Sequence, residues 1–182
     1  PDRRAEPNDF VAKDGKEVGE VIVRAPGKTT YAYINEEEKS RKVFYKGWVY
    51  IGDMGTWDEN EFVTVVGRKD DMIVSAGENI YPTQVEEILN LHPKVKESVV
   101  VGVPDDLRGE AVAAYIIKAD ESLTIQELHK YCADHPMLAD YKRPRFYRFV
   151  EALPYTATGK KKHFVIREMA LKDQKSGLLQ RW

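Results

Sequence analysis

Residues 153–164, with the sequence LPYTATGKKKHF, place two threonines, a glycine and three lysines side by side. Pro154 and Gly159 interrupt regular structure, so the stretch is predicted to be a loop and not a strand interior or a stable helix. Two interpretations remain open for this loop. It is either a basic surface turn or a device that delivers one ammonium group to an anion.

Asp53 is a second candidate for chemistry, in the segment GWVYIGDMG (47–55). It lies between Gly52 and Met54, where a hydrophobic strand is predicted to end in a turn. A carboxylate held there could accept both hydrogens of a vicinal diol such as a ribose. The alternative, which the local sequence alone favours, is a turn aspartate that bonds its own backbone.

The segment GRKDDMIVSAGENIYPTQVEE (67–87) carries further candidates. Arg68 offers a fork of donors that suits phosphate or ribose oxygens, and Gly77 would let the backbone approach a ligand closely. Each also has a purely structural interpretation, as a surface ion pair and as a hairpin glycine.

Metal and thiol chemistry are not expected. None of the four histidines pairs with another histidine or a cysteine at ligand spacing, and His92 and His135 both precede a proline at a predicted helix end, where a cap is the ordinary role. Cys132, the single cysteine, lies on the apolar side of a predicted helix and is expected in the core. With one cysteine no internal disulfide can form, which fits a cytoplasmic location.

The composition favours a folded protein with an uneven charge. Hydrophobic residues make up 42% of the 182, and no apolar run approaches the length of a membrane span. Residues 141–182 carry a charge of +8 and residues 1–140 carry −10. The basic end could face a polyphosphate ligand, anionic lipid or nucleic acid, or it could be a solvated face. It lacks the aromatic-basic motifs of RNA-binding modules, so no nucleic-acid partner is expected.

The predicted secondary structure changes in type near Asp70. The first part is β-rich, with strands at 18–27, 47–55 and 60–68 and a short exposed helix within 35–44. The second part alternates strands at 95–104, 109–119 and 145–154 with helices at 82–93, 123–136 and 162–172. Thr83 with Glu86, and Thr124 with Glu127, have the spacing of capping boxes. The predicted class is therefore α+β, a β-rich segment followed by a small α/β domain with a short sheet flanked by helices.

Five segments in a fixed order resemble the adenylate-forming enzymes, the superfamily of acyl- and aryl-CoA synthetases, firefly luciferase and the adenylation domains of peptide synthetases. Nearly the whole chain takes part in the resemblance, and five motifs in order are far more specific than any one of them. Ile51 stands where the family more often has Thr, and residues 161–163 replace a segment that is more often apolar and Arg-rich. The five segments are GEVIVRAPG, GWVYIGDMG, GRKDDMIVSAGENIYPTQVEE, VGVPDDLRGEAVAAYII and YKRPRFYRFVEALPYTATGKKK.

The resemblance implies a role for several residues. Asp53 would bind the ribose hydroxyls of ATP, and Arg68 would help to hold the nucleotide. Asp70 would be the hinge between a large and a small domain. Lys160 would be the mobile catalytic lysine, while Lys161 and Lys162 would supply only a diffuse basic field. In addition, Ala76 and Gly77 would lie along the path of the CoA pantetheine.

The resemblance also implies an activity and a domain arrangement. Residues 1–69 would be the end of the large adenylation domain and 70–182 the mobile C-terminal domain. The rest of the large domain, with its phosphate loop and acyl pocket, would precede Pro1. The substrates would be ATP, a fatty or aromatic carboxylic acid and CoA. Mg²⁺ is expected with the ATP, but no ligand for it is expected in these residues.

Two alternatives stay open at this stage. A stand-alone adenylation enzyme that loads a carrier protein would use the same motifs. A non-catalytic nucleotide- or CoA-binding module would also keep part of them. The 182 residues by themselves are expected to be inactive in adenylation.

Overall fold

The computed structural model describes residues 6–24 and 31–182. The chain divides into two compact units, Pro1–Asp70 and Asp71–Trp182. Within the described residues, none of the helices is long and apolar enough to cross a membrane.

The first unit is a four-stranded antiparallel sheet with one short helix. Strand β3 (Trp48–Trp57) pairs with the other three strands, β1 (Gly19–Arg24), β2 (Phe44–Tyr45) and β4 (Val63–Arg68). Helix α1 (Glu37–Val43) is largely exposed. The strands and the helix predicted for this part are confirmed. The predicted end of the first strand, at residues 25–27, lies outside the described residues.

The second unit is a six-stranded sheet in the order β10-β9-β8-β5-β6, with β7 also paired to β8. Strands β8 and β9 are parallel, and the other pairs are antiparallel. The strands are β5 (Ile73–Ser75), β6 (Glu78–Ile80), β7 (Val95–Asp105), β8 (Gly109–Lys118), β9 (Phe146–Phe149) and β10 (Gln180–Arg181). The helices are α2 (Pro82–Asn90), α3 (Ile125–Asp134) and α4 (His163–Lys175), with a 3₁₀ turn at Asp140–Lys142.

Helices cover both faces of this sheet, and a separate core lies under each face. Along β8, Val112, Ala114 and Ile116 belong to the core that includes α2 and α3. The alternate residues Ala111, Ala113 and Tyr115 belong to the core that includes α4. Successive side chains of a strand point to opposite faces. A strand covered on both faces is therefore apolar along its whole length and shows no alternation of apolar and polar residues.

The predicted α+β class is confirmed, and so are the three helices of the second part. Helix α4 runs three residues further than predicted, to Lys175. The predicted strand 145–154 is shorter, because β9 pairs with β8 only as far as Phe149 and the chain then turns away towards the lysine-rich loop.

One of the two predicted capping boxes is wrong. Thr124 caps α3, with its hydroxyl accepting the Glu127 amide hydrogen at 3.2 Å. Helix α2, by contrast, has Tyr81 at its N-cap, with Pro82 opening the helix, and no side chain caps it. The Glu86 carboxylate instead accepts the Val100 amide hydrogen of β7 at 2.9 Å.

Candidate adenylation site

Asp53 and Arg68 form an ion pair across two neighbouring strands of the first unit. They are directly opposite each other in the β3–β4 register, which places their side chains within reach. The Arg68 guanidinium donates to Asp53 Oδ1 at 2.8 Å and to the Ile51 carbonyl at 2.9 Å. The side chains remain 30% and 50% exposed. An incoming diol or phosphate could therefore still reach both groups.

The turn predicted at Asp53 is wrong. Strand β3 continues through Asp53 to Trp57, with a register irregularity between Met54 and Gly55. Gly52 explains how the Arg68 side chain fits: its φ is +74°, and an added Cβ would lie 3.0 Å from Arg68 Nη2. A glycine there supplies both the left-handed conformation and the space for the guanidinium.

Asp70 ends the first unit in an exposed turn. The residue before it is held firmly, because the Lys69 amide donates to the Gly52 carbonyl at 2.8 Å and its ammonium bonds Glu20 at 2.6 Å. Among the described residues, no side chain pairs with the Asp70 carboxylate. The chain is thus anchored at Lys69, and in the described part of the molecule no side-chain tie follows at Asp70.

Ala76 and Gly77 form the two-residue turn between β5 and β6. Both have positive φ, 52° and 85°, as a tight hairpin turn of this kind requires. The Ala76 amide donates to the Arg108 carbonyl at 2.9 Å. A Cβ at Gly77 would meet nothing within 4 Å, so the turn conformation itself requires this glycine.

The lysine-rich loop is an ordered hairpin, which we call the lysine hairpin (residues 154–162). Tyr155 and Lys161 form an antiparallel bridge, and the Lys162 amide donates to the Pro154 carbonyl at 2.9 Å. The Thr156 amide donates to the Lys160 carbonyl at 2.8 Å. The loop predicted from Pro154 and Gly159 therefore has a hydrogen-bonded stem.

The threonines close the tip of the lysine hairpin. Thr156 Oγ1 accepts the Lys160 amide hydrogen at 3.0 Å and lies 2.9 Å from Thr158 Oγ1. The Gly159 amide donates to the Thr156 carbonyl at 3.0 Å, and Gly159 has φ +78°. Polar side chains and one glycine thus hold the backbone that carries Lys160.

Lys160 and Lys161 occupy opposite environments. Lys160 is exposed, and within the described parts of the chain its ammonium has no hydrogen bond or ion pair. Lys161 is only 20% exposed, donates to the Ser98 carbonyl at 2.7 Å and ion-pairs with Glu86 and Glu97 at 3.4 and 3.6 Å. The expectation that Lys161 contributes only a diffuse field is wrong, because it is bonded to the body of the unit.

Glu86 lies under the lysine hairpin and is 7% exposed. Besides Val100 and Lys161, it bonds His163 Nε2 at 2.7 Å. Burial alone would raise the pKa of Glu86, but its bond to His163 and the nearby Lys161 charge hold the pKa below the ordinary value. Burial alone would lower the pKa of His163, yet Glu86 and Asp71 raise it. The lowered pKa of Glu86 and the raised pKa of His163 both favour a pair in which the two side chains are charged.

The sequence analysis missed the role of Glu86 and His163. They are 77 positions apart, so no local spacing joins them. The one local signal is the run of Lys161, Lys162 and His163, which departs from the family pattern.

The geometry can be compared with known proteins. Residues 84–160, from helix α2 to Lys160, match the AMP-binding enzyme C-terminal domain. The 2-succinylbenzoate–CoA ligases of Bacillus cereus and Bacillus anthracis are 41% identical over 155 residues, 82% of this chain. This chain belongs to the adenylate-forming enzymes.

Solved structures of adenylate-forming enzymes share the fold. An o-succinylbenzoate CoA synthetase from Bacillus subtilis, bound to its acyl-adenylate intermediate, has a TM-score of 0.73 at 35% identity and covers 85% of this chain. An amide bond synthetase from Marinactinospora thermotolerans has a TM-score of 0.73 at 36% identity over 86% of the chain. A Mycobacterium tuberculosis fatty acyl CoA synthetase has a TM-score of 0.60 at 33% identity over 90%.

The matches cover only part of each relative. This chain spans 31% of the length of the curated Bacillus ligases and 30% of the length of the B. subtilis structure. The match to the C-terminal domain ends at Lys160 and begins after Asp53, Arg68, Asp70, Ala76 and Gly77.

Proposed function

We propose that these residues are the C-terminal part of an AMP-forming acid–thiol ligase. A carboxylate oxygen of the acid attacks the α-phosphorus of ATP, and the bond to pyrophosphate breaks. The thiol of CoA then attacks the acyl carbon of the adenylate, loses its proton and displaces AMP. The observation that carries the proposal is the exposed ammonium of Lys160, which has no partner among the described residues and lies at the end of the segment that matches the AMP-binding enzyme C-terminal domain.

Lys160 is proposed to stabilise the adenylation step. Negative charge grows on the bridging oxygens when carboxylate meets phosphate. A cation already in place there costs no reorganisation at the moment of reaction. Thioester formation is proposed to use a rotated small domain, with Lys160 turned away from the reacting atoms.

Asp53 and Arg68 are proposed to hold the nucleotide. The Asp53 carboxylate has lone pairs left beyond the one bonded to Arg68, so it could accept the ribose hydroxyls while the guanidinium faces a ribose or phosphate oxygen. Ala76 and Gly77 are proposed to line the pantetheine path, and Asp70 to be the hinge. Support for Asp70 comes from its position directly after a chain segment tied down at Lys69.

ATP chemistry also implies Mg²⁺. Among the described residues no group of three or more His, Cys, Asp or Glu side chains could hold a metal ion. In the proposal, the large domain and the ATP phosphates provide the ligands of Mg²⁺, and none of the described residues is assigned to it. A cytoplasmic location is part of the proposal, supported by the buried thiol of Cys132, the single cysteine.

An aromatic or fatty acid is the proposed substrate, in line with relatives named for 2-succinylbenzoate and for fatty acyl groups. The test is pyrophosphate exchange by the complete enzyme with a panel of both acid classes, followed by addition of CoA. Exchange with none of these acids would contradict the proposal. The likeness to an amide bond synthetase gives a second candidate for the second step only. Product from an amine acceptor, but not from CoA, would favour it.

A further inference from the structure

The stem of the lysine hairpin is tied to the body of its unit by a group of charged and polar side chains. We call this group the Glu86 cluster, and it consists of Glu86, Glu97, Tyr155, Lys161 and His163. Three of its members belong to the hairpin and the first turn of α4. The other two, Glu86 on α2 and Glu97 on β7, belong to the body.

Glu86 holds the hairpin from its C-terminal side. One of its oxygens lies 2.7 Å from His163 Nε2 and also accepts the Val100 amide hydrogen at 2.9 Å. The other lies 3.4 Å from Lys161 Nζ. The buried carboxylate thus joins helix α2 and strand β7 to Lys161 of the stem and to His163 of α4, and bonds to charged groups of this kind are stronger than neutral ones.

Glu97 holds the hairpin from its N-terminal side. It accepts a hydrogen bond from the Tyr155 hydroxyl and ion-pairs with Lys161 at 3.6 Å. Because Tyr155 and Lys161 face each other in the stem, both arms of the hairpin are bound to the same surface of the body. The tip beyond them has no such tie to any other described residue.

We propose that the Glu86 cluster positions Lys160. By fixing the stem of the hairpin, the cluster keeps the Lys160 ammonium in one orientation, which a flexible loop would not do. The inference rests on the proposed role of Lys160 in adenylation. Lys161 and His163 act through Lys160 and touch no substrate.

The cluster also balances the charges of the carboxylates around the hairpin. Lys161 of the stem faces Glu86 and Glu97, and His163 of α4 faces Glu86 and Asp71. Because Lys161 pairs with both cluster carboxylates, these carboxylates leave the ammonium of Lys160 without a partner among the described residues. The cluster therefore holds the tip in place and also keeps Lys160 unpaired for an incoming anion.

The test is backbone ¹⁵N relaxation on the purified 182-residue chain. In the unmodified chain the amides of Gly159 and Lys160 are expected to be rigid, with order parameters near 0.85. Lys161→Met removes the ammonium but keeps the stem, and is expected to lower these values below about 0.6. Lys162→Met is the matched control, since its ammonium has no partner among the described residues, and is expected to change nothing.

The order parameters of the β7 and β8 amides show whether each variant is still folded. Flexible tip amides in the unmodified chain, or a rigid tip in a folded Lys161→Met variant, would each overturn the proposal. If Lys161→Met does not fold, His163→Gln takes its place, with the same expected loosening of the tip and the same contrary outcomes.

Activity provides a separate readout in the complete enzyme. Lys161→Met is expected to lower kcat for adenylation roughly tenfold or more, the scale of a lost charge-assisted bond, with KM for ATP little changed. Thioester formation from supplied acyl-adenylate is expected to stay intact. An adenylation rate unaffected by Lys160→Ala would contradict the proposed function, while the relaxation result would still decide whether the cluster orders the tip.

Discussion

At the scale of single residues, the three consecutive lysines show that the surroundings of an ammonium group determine whether it is available to bind an anion. Lys161 is bonded to a carbonyl and two carboxylates, whereas Lys160 is exposed and, in the part of the chain that the structure describes, unpaired. A charged group that is already satisfied gains little from a new anion. The free one is the candidate for binding an anion that appears only during a reaction.

Replacing Lys160 by alanine should separate the two half-reactions of the complete enzyme. Loss of a preorganised cation at the developing charge is expected to cost about 3–4 kcal/mol, or roughly 100- to 1,000-fold in the adenylation rate. Thioester formation from supplied acyl-adenylate should be largely spared. Lys162→Ala is the control and should change either rate much less, because its partly exposed charge, which has no partner among the described residues, contributes only a screened field.

Separate assays of pyrophosphate exchange and of thioester release check this expectation. If the Lys160 and Lys162 variants lose adenylation equally, or if Lys160→Ala loses neither step, the assignment of Lys160 is wrong.

The Glu86–His163 pair should make stability depend on pH in a defined direction. The pKa of His163 is raised above 6.5, so its contribution is complete below that pH and is lost as the pH rises through the raised value. The pKa of Glu86 is lowered from 4.5, so its contribution is complete above that pH and is lost as the pH falls through the lowered value. The pair therefore stabilises most between about pH 4.5 and 6.5.

Urea unfolding of the unmodified chain and of His163→Gln, from pH 4 to 9, measures this effect. The difference in the free energy of unfolding should be largest in that window and shrink above it. His135→Gln, which removes a partly exposed imidazole without a carboxylate partner among the described residues, controls for loss of the ring. If the difference in the free energy of unfolding grew as the pH rose above 6.5, the Glu86–His163 ion pair could not be its source.

At the scale of elements, α4 is attached to the sheet by a buried carboxylate. Asp173 accepts a hydrogen bond from Tyr115 of β8 at 2.7 Å and forms an ion pair with Arg148 of β9. Burial and the Asp173 charge raise the pKa of Tyr115, so the hydroxyl remains a donor at any ordinary pH. Helix α4 follows the lysine hairpin directly and begins at His163, so this attachment also fixes the end of the hairpin stem.

Removing that carboxylate should destabilise the second unit. Asp173→Ala leaves Tyr115 and Arg148 without their partner, and the expected loss is about 3 kcal/mol in the free energy of unfolding, the lower end for a broken buried pair because Arg148 is partly exposed. Lys172→Ala, on the exposed side of the same helix, should stay within about 0.5 kcal/mol. Chemical denaturation compares the two, and equal effects would argue against the attachment.

Sequence reasoning succeeded where the determinants are local. The apolar runs of β7 and β8, Pro82 at the start of α2 and the Thr124 cap are all encoded within a few neighbouring residues. It failed at Thr83 and Glu86, where a capping spacing was present but the carboxylate is used by strand β7 and by His163 far along the chain. The same buried carboxylate, paired with Lys161, explains why the prediction of a diffuse, solvated charge at Lys161 is wrong.

For the candidate site, sequence reasoning reached the residue types but not their partners. Asp53 and Arg68 were each identified, and the strand register that makes them direct neighbours appeared only with the sheet. The roles proposed for them, and for Asp70, Ala76, Gly77 and Lys160, remain predictions.

At the scale of the whole molecule, the chain has two compact units that meet in sequence at Asp70 and Asp71. The proposed reaction needs the second unit in two positions, one for each half-reaction. Few residues can then absorb the change in backbone angles, and they must lie where side-chain ties end. Asp70 meets that condition, because the last anchored residue before it is Lys69.

Proline at position 70 should therefore trap the complete enzyme in one of its two arrangements. Proline fixes φ near −65°, and the rotation would require φ and ψ of this residue to change. In Asp70→Pro one half-reaction should fall by on the order of tenfold or more while the other persists. Asp70→Ala is the matched control: it removes the carboxylate but leaves the backbone free, so both half-reactions should continue. Equal loss of both steps in a normally folded Asp70→Pro enzyme, or equal impairment by alanine and proline, would mean that the rotation takes place elsewhere in the chain.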